Sequence, residues 1–374
     1  MVVNLKKGKV LPIGIDLGTS KVKMAQLRAL RKGFSLIDVG STEVPPEARR
    51  EPSVRLRFLH DALRSIMRQA HFKGTQCVLS LPAEITFVQH LKVPKMPAEQ
   101  LAAALHWELQ GKLPYDPSRA VIRHMVAGEI LADNEVKQEV IVMAANRETV
   151  ETHIDLLRRA KLDPIGVNIE CCAIVDCFAR LFRRTSDSIR TTLFIDIGAA
   201  STQVVISHGA KTAFARNLFL AGNHFDQVVA DAMKVSLDEA RRLRCTAAAS
   251  QDQADPAIAN VQAAQAPMVE SLGEQLTSCL RYYESVFPNR PLERAVFLGG
   301  QAYDKRLCQS LARQLALPAQ IGDPLAGIAR DGEESPAAVS AEANMPEWAV
   351  AVGLSLGSAM ADQHAERDEE VVHA

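Results

Sequence analysis

Gly14-Ile15-Asp16-Leu17-Gly18-Thr19-Ser20-Lys21-Val22-Lys23 reads as an apolar strand, a glycine turn and a returning strand that carries a lysine. A near copy, Phe194-Ile195-Asp196-Ile197-Gly198-Ala199-Ala200-Ser201-Thr202-Gln203-Val204-Val205, recurs about halfway along the 374 residues. Backbone N–H groups approach phosphate oxygens closely only where side chains are absent or small. Gly18, Thr19 and Ser20 meet that condition in the first turn, and Gly198, Ala199, Ala200 and Ser201 in the second. Two such turns facing each other would clamp one polyphosphate. Lys23 on the returning strand would set an ammonium against it. Asp16 and Asp196 each precede a turn by two residues, where carboxylates would hold Mg²⁺ through its water shell.

Composition narrows the class. A chain of 40.8 kDa suits about two domains, and 47% hydrophobic with 23% charged residues is the balance of a globular protein. Net charge is -1, and basic residues cluster no further than pairs such as Arg49-Arg50 and Arg241-Arg242, so nothing points to nucleic acid. Seven cysteines at irregular spacing read as buried thiols, and the ten histidines are scattered. No apolar run approaches membrane-spanning length, so a membrane would be reached only through a partner.

Taken in order, the pattern predicts the opening hairpin, a strand over 34–43 and an amphipathic helix over 54–69. A strand at Gln76 then opens a compact α+β unit that runs to about 165 and includes a helix entered at Pro97. A strand and helix over 166–182 and a polar linker lead to the second hairpin, a strand over 212–220 and a helix over 224–234. Ser236 caps the next helix, and Arg241, Arg242 and Arg244 sit where its end is expected. Cys245 to Ala266 is Ala/Gln-rich and reads as a solvated or loosely helical insert. A helix over 268–287 follows, and then the buried strand Ala295–Leu298 stops at Gly299-Gly300, where a flat base and ribose would lie on the backbone. The last helix, 349–360, carries Gly353, Ser355, Gly357 and Ala359 for close packing, and a charged tail follows it.

Hairpin, second hairpin, apolar strand with Gly-Gly and terminal helix, in that order, resemble the actin, Hsp70 and sugar-kinase superfamily. Its phosphate 1, phosphate 2 and adenosine motifs match Gly14 to Lys23, Phe194 to Val205 and Val296 to Asp304. Within it the chain is similar to the branch holding FtsA and the type IV pilus assembly family PilM, and more closely to the latter. That likeness rests on Leu91 to Pro117, Ala221 to Leu243, Leu280-Arg281-Tyr282-Tyr283, Asp323-Pro324-Leu325 and Ala351 to Gly357. Ser278 and Cys279 depart from the arginine and serine common there, and Ala199 and Ala200 stand where a second glycine tightens the turn elsewhere.

The resemblance implies an α/β, actin-like ATPase fold: two ribonuclease-H-like lobes with an FtsA-type inserted α+β subdomain. The first lobe (subdomain 1A) takes 1–75, the inserted subdomain 1C 76–165, and the return and linker 166–190. The second lobe takes 191–345, with 2B at about 221–270, and the C-terminal helix and tail take 346–374. It further implies ATP or ADP with Mg²⁺ as cofactors, held by Asp16, Gly18, Thr19, Ser20, Lys23, Asp196, Gly198, Ala199, Ser201, Gly299 and Gly300, with Asp16 and Asp196 toward the metal.

The expected function is a cytoplasmic ATP-binding scaffold of a type IV pilus or related type II secretion platform, peripheral to the inner membrane. It binds the N-terminal cytoplasmic tail of a PilN-like bitopic protein in a groove of the inserted subdomain, where Trp107 and Tyr115 are wall candidates. The resemblance also admits the pilus assembly motor ATPase as a partner. Two alternatives stay open, an FtsA-like cell-division homologue and a small-molecule kinase on the same fold. The acidic stretch from Glu366 weighs against an FtsA-type membrane helix. Hydrolysis is expected to be slow at most, and no catalytic residue is assigned.

Overall fold

A computed structural model of the chain describes residues 8–132, 135–182, 187, 190–250, 255–330 and 344–357. Its elements begin with β1 (Lys9–Val10), β2 (Ile13–Leu17), β3 (Lys21–Ala29), β4 (Phe34–Glu43), α1 (Pro46–Arg50), α2 (Pro52–Gln69) and β5 (Gln76–Leu81). They continue with β6 (Thr86–Pro94), α3 (Ala98–Glu108), β7 (Ala120–Ala132), β8 (Glu135–Asn146), α4 (Arg147–Arg159), β9 (Asp163–Ile169) and α5 (Glu170–Ala179). Next come β10 (Thr191–Ile197), β11 (Thr202–His208), β12 (Lys211–Leu218), α6 (Gly222–Met233), α7 (Leu237–Ala249) and α8 (Pro256–Val286). The series ends with β13 (Arg294–Leu298), α9 (Lys305–Leu315), β14 (Ala319–Ile321), β15 (Ile328–Ala329) and a helix over 349–357, α10.

The chain divides into two units. The first comprises Met1–Ile85, Ala145–Arg183 and Asp323–Ala374, the second Thr86–Ala144 and Arg184–Gly322. In the first unit one sheet runs β15-β4-β3-β2-β5-β9, with β1 on β3. Strand β2 is buried on both faces. Ile13, Ile15 and Leu17 pack with Leu59, Leu63, Ile66, Leu156 and Leu157 of α2 and α4, each such side chain contributing about 1.5–3 kcal/mol of burial.

The other face of β2 takes α10. An added Cβ at Gly14 would collide with the Ala351 carbonyl oxygen, and one at Gly353 with the Ala173 carbonyl oxygen of α5. Ser355 Oγ completes the seat by donating to Pro12 O at 2.7 Å and accepting from Leu27 N. The small residues of the last helix therefore do what the sequence suggests, as far as 357. Ala359, the charged tail, most of the 183–190 linker and the stretch 331–343 lie outside the described residues.

Strand β5 corrects the expected start of the insertion. It pairs in parallel with β2 and β9, so Gln76–Leu81 belongs to the first sheet, as do β9 and the α4 side chains in its core. What stands apart is the stretch Thr86–Ala144, whose strands form a three-stranded sheet in the order β6-β8-β7, covered by α3 through Leu101 and Leu105.

In the second unit the sheet order is β12-β11-β10-β13-β14. Its core joins Leu193, Ile195, Ile206 and Phe297 to Phe225, Leu272, Leu276 and Leu311 of the helices. The β6 strand is fastened to β12 and α8 by polar contacts. Glu139 Oε1 accepts from His90 Nδ1 at 2.8 Å and from Tyr282 Oη at 2.7 Å, while Ala215 N donates to His90 Nε2.

The Ala/Gln-rich stretch is also corrected. Helix α7 runs to Ala249, and α8 starts at Pro256 and passes through Pro267 to Val286. Ile258 and Val261 are buried against Val229, Ala240 and Ala247. Alanine gives this segment high helix propensity with few large apolar residues, so periodicity understates it. Ser236 caps α7, accepting from Glu239 N at 3.2 Å, as its sequence position suggests. The three arginines, however, lie inside the longer helix, where the helix dipole has little hold on them.

Candidate functional site

Both glycine turns are built so that their carbonyls are held from behind. In the second unit Gly198 N donates to Ser201 O at 3.0 Å, closing the β10–β11 turn. The first amides of α6, groups that no intrahelical carbonyl can satisfy, donate to that turn: Gly222 N to Gly198 O at 3.1 Å and Asn223 N to Ala199 O at 2.7 Å. With those carbonyls engaged and Gly198 N committed to Ser201 O, the amides of Ala199, Ala200 and Ser201 are the groups of this turn suited to an anion.

In the first unit an arginine does this work. Arg55 of α2 donates through Nη2 to Leu17 O at 2.8 Å and Gly18 O at 3.2 Å, and through Nη1 to Thr19 O at 3.5 Å. Burial pulls its pKa below the usual arginine value, while the charges of Glu84 and Asp16 push it up. Thr19 Oγ1 donates to Glu84 Oε1 at 2.8 Å. Lys21 pairs with Glu347 at 3.2 Å, and Lys23 Nζ donates to Asp16 Oδ2. Asp16, Gly18, Thr19, Ser20 and Lys23 thus gather at one hairpin, with Asp16 and Lys23 as cross-strand neighbours.

Asp196, Gly198, Ala199, Ser201, Gly299 and Gly300 gather in the second unit, because β10 and β13 run in parallel with Asp196 beside Leu298. Gly299 has φ 83°, and an added Cβ there would strike the Asp196 carboxylate. Only a glycine suits that corner. Beside Gly300 a Cβ would meet nothing within 4 Å, so its backbone is bare. Among the described residues no group of three or more His, Cys, Asp or Glu is placed to hold a metal ion.

Sequence reading missed Arg55, Glu84, Arg244 and Gln301. Arg244, 7% exposed, donates to Gly222 O at 3.1 Å, Asp226 Oδ1 at 2.5 Å, Gln265 Oε1 at 3.1 Å and Gln301 Oε1 at 2.6 Å. Its guanidinium also lies 5.1 Å from the centre of the Phe225 ring. One buried cation thus joins α6, α8 and the segment after Gly300. Nothing in a run of three arginines says which one turns inward. For Gly222-Asn223 the signal was present, as a small residue at a helix start.

The wall candidates of the inserted subdomain separate. Tyr115 packs on the core of α3 and β8, whereas Trp107 is 73% exposed.

The family model described as type IV pilus assembly protein PilM matches residues 14–359. The chain belongs to that family. It is a type IV pilus assembly protein with an actin-like ATPase fold. The solved structure of a PilM-PilN type IV pilus biogenesis complex is similar with a TM-score of 0.77 and 23% identity, over 92% of this chain and 98% of that one. Ethanolamine utilization protein EutJ from Carboxydothermus hydrogenoformans shares the fold with a TM-score of 0.52 and 13% identity, over 93% of this chain and 89% of that one. MreB5 of Spiroplasma citri bound to ADP does so at 0.53 and 10%, over 96% and 98%. The FtsA and kinase alternatives lose ground to the family match. No helix of the described residues is long and apolar enough to cross a membrane.

Proposed function

We propose that the chain is a nucleotide-dependent docking platform of a type IV pilus assembly machine. The observation that carries this reading is the shared construction of the two glycine turns: carbonyls held from behind, small residues in front. Each turn is suited to take phosphate oxygens of ATP or ADP on its amides. Asp196 and Asp16 serve the hydrated Mg²⁺, and Lys23, drawn to Asp16, keeps that hairpin's charge near neutral for an incoming anion. Gly299 and Gly300 offer bare backbone to the nucleoside.

The partner is the N-terminal cytoplasmic tail of a PilN-like membrane protein, through which the chain reaches the inner membrane. The likeness to a PilM-PilN complex supports this choice. The inserted sheet with its outer strand β7, and the exposed Trp107 of α3, supply a surface for strand addition and an aromatic anchor.

Calorimetric titration tests both halves. ATP with Mg²⁺ should bind, and Asp196→Ala should weaken it at least tenfold; unchanged affinity in that variant means the site is misassigned. A synthetic tail of the cognate partner should bind the full chain, and absence of both heat and competition removes the docking reading.

A further inference from the structure

The hydroxyl of Thr19 has one proton to donate, and it gives it to Glu84 Oε1 at 2.8 Å. Thr19 lies in the first glycine turn. Glu84 lies in the short 3-10 turn Ala83–Ile85, and Thr86, the first residue of β6, follows immediately. One hydrogen bond therefore joins the phosphate turn to the outgoing root of the inserted subdomain. The chain comes back through Asn146, which caps α4 by accepting from Glu148 N at 2.9 Å, and His153 of that helix feels the charge of Arg55. Burial is the main cause of its lowered pKa, and the Arg55 cation adds to it.

We propose that a phosphate at the first turn competes with Glu84 for the Thr19 hydroxyl, so that nucleotide occupancy releases the root of the inserted subdomain. The inference rests on the nucleotide reading above and adds its regulation. Arg55 makes the competition possible. It holds the carbonyls of Leu17, Gly18 and Thr19 in place in both states, so that only the hydroxyl changes partner. Glu84 itself is exposed, so losing that bond costs the fold little. A coupling of this kind is reciprocal: whatever weakens the Thr19–Glu84 bond must favour nucleotide.

That reciprocity separates a competitor from a structural brace. If Glu84 merely supported the turn, removing it would weaken ATP binding. A competitor's removal strengthens it, by about two- to tenfold for one hydrogen bond of ordinary net strength. The experiment uses the full chain, with ATP and Mg²⁺ as the probe, and compares wild type, Glu84→Ala and Arg55→Lys by calorimetry and by amide hydrogen exchange over 83–94.

In wild type, ATP should speed exchange in that segment. Glu84→Ala should exchange quickly with or without ATP and should bind ATP more tightly. Arg55→Lys, which keeps the charge but loses the fork, should bind ATP several-fold more weakly. Weaker ATP binding by Glu84→Ala, or a segment in that variant that still responds to ATP, overturns the proposal, as does unchanged exchange in a wild type that binds ATP. If wild type binds no ATP at all, the nucleotide reading itself falls and takes this inference with it.

Discussion

Lys23 Nζ and Asp16 Oδ2 form an ion pair across the β2–β3 hairpin, with side chains only 12% and 6% exposed. Lys23→Ala is therefore not a silent probe of ligand binding. Depriving a buried carboxylate of this cation should cost about 3 kcal/mol of stability. The double variant Asp16→Asn/Lys23→Ala should lose markedly less than the sum of the two single changes. Urea unfolding of the four proteins measures the coupling, and strict additivity would show the pair contributes nothing of its own.

Asp176 of α5 gives the first unit a pH response. Burial raises its pKa from 3.8 to about 7. A carboxyl whose folded pKa is raised favours the fold most below pH 3.8, and that stability drains away as pH climbs through 7. Asp176→Asn should therefore be more stable than wild type at pH 8, by roughly 2 kcal/mol once partial solvation is allowed for, and melt correspondingly higher. The two proteins should converge near pH 4. Thermal melts across that range decide it, and parallel curves at all pH values would count against the buried carboxyl.

His208 of β11 works in the opposite direction. Its pKa falls to about 4, chiefly through burial and secondly through Arg290. Protonating the unfolded chain below pH 6.5 is then unmatched in the fold, so this group costs stability between pH 6.5 and 4. Its Nε2 lies 2.7 Å from Tyr283 Oη. His208→Gln should flatten the acid limb of the stability profile, which denaturant titration at pH 5 and 7 will read.

Trp107 offers a test of the surface without disturbing the core. At 73% exposure its removal should change stability by no more than about 0.5 kcal/mol. Trp107→Ala should nonetheless weaken binding of the partner's tail peptide about tenfold or more if the ring is an anchor. Equal affinity for the two proteins would move the docking surface elsewhere.

The hairpins were legible because local chemistry alone specifies them. Alternating apolar residues meet a glycine turn at Gly18 and again at Gly198, and the β2–β3 and β10–β11 ladders follow in register. The helix entered at Pro97 and the cap at Ser236 were legible for the same reason. Strand β5 was legible as a strand but its sheet was not, because its partners are parallel strands remote in sequence, and periodicity says nothing about which neighbour a buried strand chooses. The first turns of helix α8 were hidden because Ala/Gln-rich sequence carries little apolar periodicity, although the helix runs unbroken through Pro267. Arg55 and Arg244 were invisible in another way. Each looks like an ordinary helix-surface cation, and only tertiary packing turns it toward carbonyls.

Helix α10 settles on Gly14 through Ala351 and Ser355, and the bond from Ser355 to Pro12 joins residues 343 positions apart. That distance sets an order of events at the ribosome. Strand β2 is made long before the helix that covers its second face, which follows both Thr86–Ala144 and Arg184–Gly322. Contacts of such sequence separation form late. The nascent chain consequently holds a β2 with one face uncovered while both stretches are translated.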